Sequence, residues 1–264
     1  MQIPIDPSSS TAPAVPGAAP STRFWREAFD LAVSVVPVLA LVVVVHTVLF
    51  QPFTIPSSSM EPGLVTGDYI VVSKFAYGWS GASPPFNLPL GHGRLFGHGP
   101  ARGDVVVFRL PRDPSLVWVK RVVGLPGDRV QVRGGTVYVN GQTLTRTPLG
   151  TAPDHDDPSR TVPLARENNR SGRAYLTYAG EAGHEGDETG VYLVPPGQYF
   201  MMGDNRDNSL DSRWPGTEGV GFLPAENILG RADMVVASWR SGAALWKPWT
   251  WLSLQTGRLL HRIR

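Results

Sequence analysis

The sequence predicts a mostly β protein carried by a single N-terminal transmembrane helix, and two observations predict it. Residues 31–50, LAVSVVPVLALVVVVHTVLF, hold no charged side chain other than His46 when protonated. As a helix this run spans roughly 30 Å, the thickness of a bilayer's hydrocarbon core. The segments that follow are short, rich in Val, Ile, Tyr and Phe, and mostly bounded by Gly or Pro, in a chain with 29 Gly and 25 Pro. That is a pattern of strands and turns rather than of long soluble helices. The 264 residues, 42% of them hydrophobic, suffice for a packed core in one large or two small domains.

In chain order, residues 1–22 are mostly Pro, Ala and Ser; with little to bury, they are expected to form a disordered cytoplasmic tail. The anchor, residues 23–50, opens with Arg23 and Arg26, and the next Lys or Arg is Lys74. The positive-inside rule then places the N-terminus in the cytoplasm and everything after residue 50 outside. Pro37 is tolerable in such a helix, and His46 reads as a neutral residue near the far interface. The apolar run exceeds the about 7–15 residues of a cleavable signal's core, and Ser57-Ser58-Ser59 is only a loose small-x-small match, so the anchor reads as retained.

An extracytoplasmic β-domain is expected over residues 51–243, with strands in DYIVVSKF, DVVVFRL, VWVKRVVG, RVQVRG, TVYVNGQTL, VYLVPPGQYFMMG and ADMVVASW. Gly134-Gly135 and Asn140-Gly141 read as tight hairpin turns, the second a favoured type I′ pair. Two stretches read as inserts that interrupt the strands: 79–101, rich in Gly and Pro, and 145–190, polar. The tail, 244–264, combines Trp246, Trp249 and Trp251 with Lys247, Arg258, Arg262 and Arg264. It suits a membrane interface and, equally, a terminal segment packed on the domain. The basic residues are scattered, with no stripe and no helix-turn-helix pattern, so nucleic acid is not expected as a partner.

With no cysteine, the chain has no disulfide, no Cys-ligated metal and no Cys nucleophile. Residues 55–60, IPSSSM, put three serines just past the anchor, and a serine nucleophile needs a base. None of the six histidines (His46, His92, His98, His155, His184, His261) sits in a context that would hold its ring rigid. The run Asp154-His155-Asp156-Asp157 reads as a solvated loop, because adjacent residues cannot all face one ion. Only three of the 24 basic residues are lysines: Lys74, Lys120 and Lys247. A chain that otherwise uses arginine has in its lysines the side chains able to give up a proton. Strand alternation sends Lys120 to the face of Trp118 and Val122, where apolar company would lower its pKa towards that of a general base. A lysine snorkelling at a sheet edge fits the same residues and, on spacing alone, is the commoner case.

Several blocks stand in one order after residue 22: the anchor, PFTIPSSSMEPGLVTGDYIVVSKFAYG, RGDVVVFRLPRDPSLVWVKRVVGLPGDRV, and GDNRDNSLDSR followed by GFLPAENILGRA. In this the chain resembles bacterial type I signal peptidase (leader peptidase), the membrane-anchored serine protease that removes signal peptides from exported proteins. The resemblance implies an antiparallel β-domain of the signal peptidase type and a Ser–Lys dyad. Ser59 would be the nucleophile and Lys120 the general base. Ser57 and the backbone N–H of Ser59 would form the oxyanion hole, Ser209 would orient the lysine, and Asp211 and Arg213 would be a supporting ion pair. Phe53, Ile55, Leu64, Ile70, Val107, Trp118 and Val119 would line two shallow pockets that admit only small side chains, as in an Ala-x-Ala site.

The resemblance also implies no metal and no cofactor, and as partners signal-peptide-bearing precursors and membrane lipid. The site would lie at the bacterial inner membrane, on its outer (periplasmic) side. Gly63 departs from the threonine that the family often has there, and the single anchor departs from relatives with two. Ser59 follows the anchor by nine residues, which reach only roughly 30 Å when extended, so the serine would work near the outer interface, the level of a signal peptide's cleavage site. The alternatives are a related Ser–Lys maturation peptidase of a conjugation system, a self-cleaving repressor, and a non-catalytic anchored β-domain that binds exported proteins. A repressor would carry a DNA-binding domain and no anchor, the reverse of this chain.

Overall fold

The computed structural model describes residues 22–45, 49–80, 94–95, 97–169, 171–178, 183–240, 243 and 247–263. The expectations for residues 1–21, His46, His92, Trp246 and Arg264 lie outside these. The chain divides into two units, 1–43 and 44–264. In the first, helix α1 (Thr22–Val44) contains Pro37 and is long and apolar enough to cross a membrane, with a mean hydropathy of 2.2 over an 18-residue stretch. Phe50, the last residue of the apolar run, opens the first strand.

Among the described residues the strands of the second unit are, in order, β1 (Phe50–Thr54), β2 (Asp68–Ser73), β3 (Trp79–Ser80), β4 (Arg94–Leu95), β5 (Val105–Leu110), β6 (Asp113–Gly124), β7 (Arg129–Arg133), β8 (Thr136–Val139), β9 (Gln142–Thr143), β10 (Thr145–Pro153), β11 (Thr161–Asn168), β12 (Ala174–Tyr178), β13 (Tyr192–Leu193), β14 (Gln198–Met202), β15 (Phe222–Pro224), β16 (Ile228–Ser238) and β17 (His261–Arg262). The main sheet runs β1-β2-β16-β5-β6-β14-β15, with β17 also on β16, and every pairing is antiparallel.

Strand β5 shows why this sheet forms. Its Val105 and Val107 enter a core with Met60, Leu64, Ile70 and Val235, while Val106, Phe108 and Leu110 enter another with Val122, Met201 and Leu223. Side chains alternate across a strand, so a near-continuous apolar run serves a strand buried on both faces. The third core joins Val130, Val132, Val137 and Val139 of the β7–β8 hairpin to Phe200 and Met202. Both expected turns are present. Gly134 and Gly135 join β7 to β8 at φ 51° and 69°, and Asn140 and Gly141 join β8 to β9 at φ 53° and 76°.

Residues 145–190, expected as a polar interruption, instead contain a three-stranded sheet, β10-β11-β12. Its buried positions mix Val162, Ala165, Tyr175 and Tyr178 with Glu167 and Thr177, so the apolar alternation that marks a half-buried strand is interrupted. The tail is tied to the domain: β17 pairs with β16, Ile263 packs on the first core, and Arg258 bonds both carboxylate oxygens of buried Asp68. Trp249 and Leu252 stay exposed.

Gly67, where the chain turns back towards β2, has φ 93°, and a Cβ there would lie 2.0 Å from the carbonyl oxygen of Trp239. Backbone cannot yield as a flexible side chain can. Gly67→Ala is therefore expected to cost about 3 kcal/mol of stability, read as a lower midpoint in urea unfolding followed by tryptophan fluorescence.

Candidate active site

The serine cluster sits on one tight turn. Ser57 is extended, Ser58–Met60 form a single 3-10 turn, and Met60 is buried in the first core as its anchor. Asn205 holds the turn from the other side: its N–H donates to the Ser59 carbonyl (3.2 Å) and its side-chain amide to the Ser58 carbonyl (3.2 Å). The three hydroxyls part company. Ser58 Oγ accepts from Asn208 Nδ2 at 2.8 Å, Ser57 Oγ lies 3.4 Å from Ser59 Oγ, and Ser59 Oγ lies 2.7 Å from Lys120 Nζ.

Lys120 stands on β6, opposite Val106 of β5, and is 4% exposed. Its ammonium nitrogen also reaches the Val119 carbonyl (3.1 Å) and lies 5.3 Å from the centre of the Trp118 ring. Burial lowers its pKa to about 8; Asp211 and Asp204 resist this and Arg213 adds to it. Lys74, wholly buried, is also lowered to about 8, by burial and then by Arg109. A lowered pKa is thus common to both lysines. At Lys120 a serine oxygen also lies at hydrogen-bond distance.

Behind the pair lies GDNRDNSLDSR, residues 203–213, which supplies three buried ion pairs. Asp211 takes both Arg213 Nε and Nη2 at 2.9 Å and also accepts from the Gly203 N–H (3.0 Å). Burial would raise the Asp211 pKa, but Arg213 and these hydrogen bonds outweigh it and hold it below the ordinary value. Arg121, next to the lysine, grips Asp204 bidentately (2.7 and 2.6 Å), reaches the Gly103 carbonyl (2.7 Å) and lies over the Tyr175 ring. Arg206 pairs with Glu167 of β11 (2.6 Å), which also accepts from Tyr175 (2.7 Å). Asp204, Asn205, Arg206 and Asn208 lie in a block recognisable by its sequence, although spacing assigns them no role. Nothing local to Glu167 marks it.

Ser209 lines the same cavity as Lys120, but its Oγ is buried with no hydrogen-bond partner, so the expected bond to the lysine is not made. The cavity, about 730 Å³, is lined by Ser57, Ser59 and Lys120 and by six of the seven expected pocket residues: Phe53, Ile55, Ile70, Val107, Trp118 and Val119. Leu64 is in the core instead, fully buried. Thr54, Pro56, Leu116, Val117, His184, Asp207, Asn208, Leu210 and Trp214 complete the wall. His184 is held after all, by the Gly186 N–H on Nδ1 and by the edge of Trp214. Gly63 needs no side chain, since a Cβ there would come within 2.9 Å of Asp204 Oδ2. Among the described residues, one group of His, Asp and Glu is close enough to share a metal ion: Glu61, His155 and Asp156. None of the three lines the cavity.

An apolar cleft with a serine, a neutralisable base and hydroxyl and N–H donors can carry out acyl transfer. The signal peptidase (peptidase S26) family profile matches residues 28–239. Signal peptidase I of Rickettsia typhi is 38% identical over 217 residues, 79% of each chain. That of Rickettsia canadensis is 37% identical over 217 residues, 79% of this chain and 78% of its own. A crystal structure of a signal peptidase I from Enterococcus faecalis aligns at 27% identity with 51% of this chain and 97% of its own, with a TM-score of 0.31.

Two predictions follow from the geometry of the serine. A Cβ on Gly203 would lie 2.3 Å from Ser209 Oγ and 2.5 Å from the Ser59 carbonyl oxygen. Gly203→Ala should therefore displace the serine turn and cut the reactivity of Ser59 towards an acylating probe about 100-fold, with the circular dichroism spectrum unchanged. Because Lys120 can accept a proton only when neutral, that reactivity in the unaltered chain should rise about tenfold per pH unit up to about pH 8 and then level off.

Proposed function

We infer the function from one premise: the chain belongs to the signal peptidase family, peptidase S26, and is a membrane-anchored serine endopeptidase that removes signal peptides from exported precursor proteins. The maturation-peptidase and non-catalytic readings are not favoured by these relatives. The assignment of roles to residues is our proposal, and the observation that carries it is the 2.7 Å contact between Lys120 Nζ and Ser59 Oγ.

Neutral Lys120 takes the Ser59 proton as Oγ attacks the carbonyl carbon of the residue before the cut. The Ser57 hydroxyl and the Ser59 N–H donate to the oxyanion that develops. The tetrahedral intermediate collapses, the C–N bond breaks, and protonated Lys120 gives its proton to the leaving amine. Water then attacks the acyl-enzyme, Lys120 takes one of its protons, and Ser59 recovers a proton as the free carboxyl product leaves, the Ser–Lys variant of the triad. In this reading the Asp211–Arg213 pair fixes the 203–211 turn through the Gly203 N–H.

The apolar wall of Phe53, Ile55, Ile70, Val107, Trp118 and Val119 supports a preference for small side chains at the first and third positions before the cut, because a walled pocket rejects larger groups by sterics. Arg23 and Arg26 before the apolar helix, with no further base until Lys74, support an N-terminus in the cytoplasm and a catalytic domain on the outer side of the inner membrane.

Cleavage of a purified precursor by the detergent-solubilised protein tests this. Lys120→Arg keeps the charge but not the removable proton, and cleavage should fall by at least about 10³-fold with the fold intact by circular dichroism. Lys247→Arg, at the exposed start of the tail, should cleave as the unaltered chain does. Equal cleavage by Lys120→Arg would overturn the assignment of the base.

A further inference from the structure

The loop between β10 and β11 brings His155 and Asp156 against Glu61, two residues after Ser59. Glu61 is fully buried, yet neither of its carboxylate oxygens has a hydrogen-bond partner. His155 Nδ1, also buried and unpartnered, lies 3.8 Å from Glu61 Oε1 and 3.5 Å from Asp156 Oδ1. The three ligating atoms all lie within 4.8 Å of one another. The other polar atoms of Asp156 and His155 are engaged. Asp156 Oδ2 accepts from Thr66 (3.0 Å), and His155 Nε2 lies 3.3 Å from the Gln255 amide. With that amide turned so that its oxygen accepts the Nε2–H, Nδ1 is left as a bare lone pair. Asp154 steadies the loop by accepting from the N–H groups of Asp156 and Asp157.

We propose that Glu61, His155 and Asp156 form a binding site for a structural divalent cation of the zinc class, clipping the β10–β11 loop to the serine turn. The donor set argues for that class. One imidazole nitrogen and two carboxylate oxygens suit borderline first-row ions, whereas calcium takes six to eight oxygens and magnesium keeps its waters. Ligands about 2.0–2.2 Å from zinc lie roughly 3.3–3.5 Å apart at a tetrahedral angle, so the distances from His155 need to close by only a few tenths of an ångström. Gln255 is placed to fix the ring, as the outer partner of a metal-bound histidine does.

The local charge points the same way. Asp156 and Asp154 bring further negative charge to the buried Glu61 carboxyl, with Arg258 as the opposing cation. Arg258 is already bonded to Asp68. A dication would supply the positive charge that this buried carboxyl lacks. The 154–157 run, dismissed as a site because neighbours cannot all face one ion, contributes only two of its residues, and the third ligand comes from far along the chain.

The full chain in detergent, stripped with a chelator and titrated with zinc chloride, provides the test by calorimetry, metal analysis and thermal unfolding. One zinc should bind per chain and, at a hundredfold excess over Kd, raise the unfolding midpoint by about 5–10 °C. Magnesium at the same concentration should not shift it. Glu61→Gln, which preserves shape, and His155→Ala, on the partly exposed loop, should each weaken binding by more than about tenfold and remove the shift. No shift in the unaltered chain, or equal binding by both variants, would overturn the proposal.

Discussion

A lysine ammonium is strongly hydrated, and taking Lys120 out of water is the condition on which the rest of the site depends. Its fall from 10.5 to about 8 disfavours the charged form by about 3 kcal/mol, and a dry interior is the largest cause. The β5–β6 hairpin provides it, with Val106 opposite the lysine and Trp118 beside it. Lys74 is as deeply buried and its pKa is lowered to the same value, so burial alone does not single out Lys120. The turn that presents Ser59 must also be held against the same strand, and Met60 in the core and Asn205 over the two carbonyls do this.

A short turn in a chain without cysteine needs some other fastening. Buried arginine–carboxylate pairs fill that role. Arg121–Asp204, Arg206–Glu167 and Arg213–Asp211 link β6, β11 and the 203–213 segment around the serine turn. Each pair is nearly or wholly excluded from solvent, so each charge depends on its partner. Removing one member of such a pair typically costs about 3–5 kcal/mol.

Much of this was legible in the sequence where local physics decides the outcome. DVVVFRL and VWVKRVVG read as strands because β-branched runs fit a doubly buried sheet, and the two-residue period put Lys120 on the face of Trp118 and Val122. Asn140-Gly141 read as a turn because both residues take φ above zero. The β10–β12 sheet was not legible, because its buried apolar positions, Val162, Ala165, Tyr175 and Tyr178, are interspersed with buried Glu167 and Thr177. Glu167 is partnered by an arginine 39 residues away, a distance over which no local pattern reports. The same holds for Glu61 and His155, which meet only through the fold. Resemblance also had limits: it put Leu64 in a pocket, whereas the residue lies in the core, and it gave Ser209 a bond to the lysine that its oxygen does not make.

The three buried ion pairs also restrict how this protein can change over generations. An apolar pair of similar volume can replace a buried ion pair with little loss, but the route runs through an intermediate with one stranded charge. At Arg121, Asp204, Arg206, Glu167, Arg213 and Asp211, single-residue drift is therefore closed, and an exchange has to alter both partners together. The surface of the β10–β11 loop carries no such restriction, apart from the two residues that face Glu61. Sequences descended from this one are expected to keep these pairs as units while the loops between them diverge in length and composition.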